Sequence, residues 1–220
     1  MTRPEASQAG RMTRPEASQA GRMTGPEASQ AGRMTGPEAS QAGRMTAIDP
    51  SSADEAAGRT RSVAWEDQAP ILAAAQDRSG LELMRGIMSG ELPAPPVAEL
   101  LGFAIERVDE GNVVFAMAPE EAHQNPLGSV HGGIITTLLD SAMGCAVHTT
   151  LPPGGRYTTL ELKVNFLRPS FAGGATLLAE GVVLHRGATA VLAEATITDA
   201  DRGRRIAHAT STCLILPPPA

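Results

Sequence analysis

A loop that opens into one long apolar helix carrying a single acid most constrains this fold. It is Asn125-Pro-Leu-Gly-Ser-Val-His131-Gly132-Gly133-Ile-Ile-Thr-Thr-Leu-Leu-Asp140. From Ile134 to about His148 the spacing predicts a helix, with Ile135, Leu138, Leu139, Ala142, Cys145 and Ala146 on one apolar stripe. Gly133, Thr136, Thr137, Asp140 and Gly144 fall on a second, narrow stripe of small side chains. Gly132 and Gly133 give backbone freedom at the loop-to-helix junction and let a ligand approach the main chain. The unpaired amides of the first turn and the positive end of the helix dipole offer a site for developing negative charge. Asp140 has no packing reason to sit in such a helix, because burying an unpaired acid is costly. A plain surface Asp is the alternative.

Strand patterns surround this helix. Phe103–Val108 and Val113–Ala118 flank a turn at Asp109–Asn112. Leu151-Pro-Pro-Gly-Gly155 ends the helix. Tyr157–Leu167 then alternates, with Leu160, Leu162, Val164 and Phe166 pointing one way and Thr159, Glu161, Lys163 and Asn165 the other. Ala175–His185, Thr189–Thr198 and Arg205–Leu216 follow, joined by short Gly-containing hairpins. The pattern predicts an α+β domain: an antiparallel sheet of five to six strands with one long helix on its face. Ahead of it, helices are expected at Val63–Arg78 and at Leu81–Ser89, the second stopped by Gly90, with Leu92–Pro96 as an extended connector.

The N-terminus is a different kind of sequence. Residues 1–44 are four copies of an eleven-residue unit, Met-Thr-Arg-Pro-Glu-Ala-Ser-Gln-Ala-Gly-Arg, with Gly replacing the first Arg in the last two. Each unit carries Pro and Gly but no Leu, Ile, Val or aromatic residue, so residues 1–61 are expected to be disordered. Each unit also begins with Met, so a duplicated start region with the natural start at Met45 is one expectation. The domain is then 62–220, with a helical lead-in over 62–96.

The repeats hold six Arg and four Glu, so of 18 basic and 24 acidic residues the rest keeps 12 and 20, a net of −8. Such acidity disfavours nucleic-acid binding, which rests on neutralising phosphates. Cys145 and Cys213 lie in apolar patterns and imply no disulfide framework, which fits a reducing cytosol. No apolar run is long enough for a membrane span, and the scattered His residues predict no metal site. Gly-x-Ser-x-Gly is absent, which argues against a serine hydrolase.

Asn125, Gly128, His131-Gly-Gly and Asp140, followed by Thr158-Thr-Leu-Glu-Leu-Lys-Val-Asn-Phe-Leu-Arg-Pro169, resemble the hotdog-fold acyl-CoA thioesterases. The likeness is greatest to the phenylacetate-pathway (PaaI-like) branch of the 4-hydroxybenzoyl-CoA thioesterase superfamily, and it covers roughly Leu81 to Leu216. It implies a sheet wrapped around the central helix. It also implies a cytoplasmic homodimer or homotetramer with active sites at subunit interfaces, and an acyl-CoA substrate with no separate cofactor.

Residue by residue, Asp140 becomes the general base on water or the nucleophile, and both roles stay open. The Gly132 amide becomes the oxyanion donor, with Gly133 beside it. Asn125 matches an amide that orients substrate or water, a reading its spacing to Asp140 favours over the alternative of a turn residue before Pro126. Thr159 matches a Ser/Thr that holds the catalytic water, with an exposed strand Thr as the alternative. His131 is read as shaping the loop through hydrogen bonds, with direct substrate contact as the other reading. It stands nine residues from Asp140, about 900° around a regular helix, so the two face opposite ways. Arg168, Arg186 and the amides around Gly187 are the expected contacts to the CoA phosphates. A hydratase or dehydratase of the same fold and a non-catalytic acyl-CoA sensor are the competing functions.

Overall fold

A computed structural model of the protein describes residues 58–217, so the expectations for the repeats lie outside the described residues. The elements run α1 (Ala69–Asp77), α2 (Gly80–Ser89), α3 (Pro96–Leu101), β1 (Phe103–Asp109), β2 (Asn112–Met117), a 3-10 turn (Glu121–His123), α4 (Gly132–His148), β3 (Arg156–Phe166), β4 (Leu177–Arg186), β5 (Ala190–Asp199) and β6 (Arg205–Leu216). Six antiparallel strands form one sheet in the order β1-β2-β4-β5-β6-β3. α4 packs against all six. This is the hotdog arrangement, a sheet curled around one helix.

A trough of small residues brings helix and sheet close. Gly181 of β4 pairs with Ala195 of β5, which pairs with Ala209 of β6, and Val113 and Val164 continue the row on either side. Ile135, Leu138, Leu139, Ala142, Met143, Ala146 and Val147 of α4 are buried above it. The backbone of Ala142 lies so near Gly181 that a Cβ there would collide with the Ala142 carbonyl. Only glycine allows this approach.

The lead-in departs from the expected boundaries in two places. The first helix begins at Ala69 rather than Val63. Pro70 lies in its first turn, and a proline ring is compatible with a helix start but not with a helix running through it. The connector gives way at its last residue to α3, which starts on Pro96 and closes on Gly102 in a left-handed conformation at φ 64°. α2 is as expected: Ser79 and Glu82 form a reciprocal capping box, and Gly90 ends it at φ 77°. Residues 58–68 have no regular structure, and Arg59 pairs with Glu121 at 2.7 Å.

β3 is an edge strand with no fully buried residue. Its register against β6 slips between Thr159, opposite Cys213, and Glu161, opposite Thr212. Leu160 is the extra residue of this bulge, and its side chain is 58% exposed. The expected alternation is therefore corrected. Tyr157 and Thr159 share the half-buried face with Leu162 and Val164, while Leu160 points away.

Candidate active site

The 3-10 turn and the segment after it set up the start of α4. Asn125 folds its own turn: its Oδ1 accepts from the Leu127 amide at 2.9 Å, and its Nδ2 donates to Ser129 Oγ at 3.0 Å. Gly128 supplies the left-handed residue of that turn, at φ 83°. The His131 amide donates to the His123 carbonyl at 2.8 Å, anchoring the loop to a buried residue.

His131 then caps α4, its Nδ1 accepting from the Gly133 amide at 2.8 Å. Neither Gly132 nor Gly133 has positive φ, so the backbone freedom expected there is not used; Gly128 uses it instead. The cap divides the two glycine amides. That of Gly133 is occupied, while that of Gly132 has no hydrogen-bond partner among the described residues. Gly132 and Asn125 line a cavity of about 370 Å³ together with Phe166 and Arg168.

Asp140 lies two turns further along and is half-buried. The β3 bulge turns Thr159 inward, and its hydroxyl donates to Asp140 Oδ1 at 3.0 Å. Asp140 faces a second, largely apolar cavity of about 330 Å³, shared with Ser141, Cys145 and Tyr157. Burial first, and then the Asp140 carboxylate, push the Cys145 thiol up to about 12, so it stays protonated and is no nucleophile at neutral pH. Burial also pushes the Tyr157 phenol upward. Among the described residues, no three His, Cys, Asp or Glu side chains cluster where a metal could bind.

The candidate residues thus divide between two cavities. Gly132 and Asn125 line one, and Asp140, with Thr159 bonded to it, lines the other. Gly132 and Asp140 are eight residues apart on one helix, a rise of about 12 Å, which no single carbonyl group bridges.

Of the expected phosphate contacts, Arg168 lines the Gly132 cavity, and both arginines make one hydrogen bond within the chain. Arg168 donates to the Arg205 carbonyl at 2.8 Å. Arg186 donates to Thr150 Oγ1 at 3.1 Å, beyond the C-terminal end of α4. The Gly187 amide, expected free, donates to the Ala190 carbonyl at 2.9 Å because the hairpin needs it. The Asp140-side cavity itself escaped sequence reasoning, since its far wall comes from α2 and α3.

The chain is similar in sequence and fold to known proteins. Residues 127–206 match the family model described as "Thioesterase superfamily". A Saccharolobus solfataricus protein designated an esterase is 32% identical over 123 residues, which is 56% of this chain and 85% of the relative. The 1,4-dihydroxy-2-naphthoyl-CoA hydrolase of Listeria monocytogenes is 30% identical over 101 residues, 46% of this chain and 80% of the relative. Among solved structures, the Escherichia coli PaaI protein from the phenylacetic acid degradation operon matches with a TM-score of 0.56 at 25% identity, covering 63% of this chain and 95% of that one.

Proposed function

The chain belongs to the thioesterase superfamily, and from that premise we propose that it hydrolyses an acyl-CoA thioester to the free acid and CoA. One observation carries the reading: α4 presents an unpaired amide at Gly132 and a carboxylate at Asp140, each facing its own cavity. Two copies of the chain, arranged so that Gly132 of one meets Asp140 of the other, complete a site that neither holds alone. The exposed edge of β3 is the natural seam, because an unpaired strand edge accepts another strand.

In that composite site the thioester carbonyl oxygen points at the Gly132 amide and the positive end of the α4 dipole. Asp140, with Oδ1 held by Thr159, takes a proton from water as the water oxygen bonds to the carbonyl carbon. The resulting oxyanion rests on the Gly132 amide. Its collapse breaks the carbon–sulfur bond, and the proton returns to the departing thiolate. Asn125 keeps one amide hydrogen of Nδ2 for substrate or water. Arg168 and Arg186 are exposed, and each keeps N–H donors beyond its one hydrogen bond for the CoA phosphates.

The test measures free-thiol release across a panel of acyl-CoAs, together with solution mass. Hydrolysis by a dimer or tetramer, lost in Asp140→Asn, supports the reading. Tight acyl-CoA binding with no thiol released refutes it in favour of a sensor.

A further inference from the structure

The cavity that Asp140 faces has a wall drawn from outside residues 127–206. Met84 and Ile87 of α2, Ala98 of α3 and Phe103 of β1 line it, with Phe103 braced edge-on by Phe115 at 5.4 Å between ring centroids. On the α4 side the lining continues from Asp140 through Cys145 to Tyr157. The Tyr157 ring lies over Gly144, one helical turn past Asp140; a Cβ on Gly144 would stand 3.1 Å from the ring carbon bearing the hydroxyl. Beyond it, the Tyr157 and His148 rings meet edge to face at 5.8 Å. His148 is not among the residues that line the cavity, whereas Tyr157 is.

We infer that this cavity receives the acyl group of the thioester and that Tyr157, standing on Gly144, sets how long that group can be. The inference rests on the hydrolase reading above. At about 330 Å³ the cavity lies at the small end of the range for ligand sites, about 300–1,000 Å³, which suits an acyl group of medium length better than a long one. The lining is aliphatic and aromatic, and its charged members, Asp140 and Glu99, are both acids. With no cation to meet a second carboxylate, the acyl tail is uncharged. The chemical class is a neutral, medium-length acyl thioester.

The experiment compares kcat/KM for straight-chain acyl-CoAs from acetyl to palmitoyl, and for succinyl-CoA, in the unmodified chain, Tyr157→Ala and Ile87→Trp. The unmodified chain should favour medium chains over palmitoyl-CoA and reject succinyl-CoA. Opening the end with Tyr157→Ala should raise the palmitoyl-to-octanoyl ratio at least tenfold, since a few methylenes of added room give about that discrimination. Filling the opposite wall with Ile87→Trp should lower the octanoyl-to-acetyl ratio by a similar factor. Should Tyr157→Ala fail to fold, Ile87→Trp decides alone. An unchanged chain-length profile in folded variants, or succinyl-CoA as a favoured substrate, overturns the inference while leaving the hydrolase reading intact. Inactivity of the unmodified chain on every thioester overturns both.

Discussion

Thr159 reaches Asp140 only because Leu160 bulges out of β3. Without the extra residue, strict alternation measured from Leu162 and Val164 would turn the Thr159 hydroxyl outward; with it, Thr159 Oγ1 donates to Asp140 Oδ1 at 3.0 Å. Thr159→Val should therefore lower kcat by about tenfold to a hundredfold, the value of a hydrogen bond to a charged group. Thr159→Ser should stay within a few-fold of the unmodified chain. Steady-state kinetics of the two variants check this, and equal losses in both would remove the hydroxyl from the mechanism.

Asp140→Asn keeps the shape of the side chain and removes its basicity. The expected loss in kcat is about two to four powers of ten, the contribution of a positioned base, with an unchanged melting temperature. Free-thiol release and thermal unfolding on one preparation measure both. Full activity in this variant would leave the proposed chemistry without a base.

Gly132→Val should cost about two to three powers of ten in kcat, because a Cβ there meets the Phe166 ring at 3.3 Å and displaces the amide. Refolding this variant together with Asp140→Asn provides a sharper assay. In a mixed dimer, the unaltered Gly132 of one chain faces the unaltered Asp140 of the other, so one site in two is whole. Activity should return to roughly a quarter of the unmodified level. No recovery from mixed dimers of confirmed composition would place both groups of a working site in the same chain.

Gly181→Val tests the trough beneath α4. The added side chain runs into the Ala142 carbonyl, and overpacking of this kind costs about 1–3 kcal/mol or more. Urea unfolding should show a lower midpoint. An unchanged midpoint would mean that the helix shifts freely on the sheet.

Two histidines set the acid limit of stability. Burial lowers the pKa of His148, and burial together with Arg61 lowers that of His123. Their folded values therefore lie below the unfolded value of about 6.5. Above that value both states are neutral and stability is full. As pH falls through it towards the folded values, the unfolded chain takes up protons first and stability declines. The melting temperature should hold from pH 8 to 7 and fall below about 6.5. His148→Gln should flatten that fall.

What the sequence disclosed and what it withheld divide along physical lines. α4 was legible because its buried stripe repeats at the helical period, and β6 spans Arg205–Leu216 as its pattern indicated. Gly90 ends α2 where a left-handed cap was expected. The bulge was hidden because Leu160 looks like any strand residue until its partner strand fixes the register. α3 was hidden because Pro96 was read as the end of an extended connector, although a helix can begin on a proline. The Arg168 and Arg186 side chains bond to neighbours far along the chain, while the Gly187 amide bonds to Ala190 within its own hairpin. Asp140 and Gly132 stood out in the sequence. Their opening onto different cavities did not, since spacing reports position along a helix and not what lies opposite.

Gly132 and Asp140 stand on one continuous helix whose backbone hydrogen bonds fix the span between them within a chain. In the site proposed across two copies, the arrangement of the copies sets how the amide meets the carboxylate. The wall across from Asp140 is built by α2 and α3, short segments that carry neither group. On the proposed reading, exchanges there change acyl preference and leave the Gly132 amide and the Asp140 carboxylate in place.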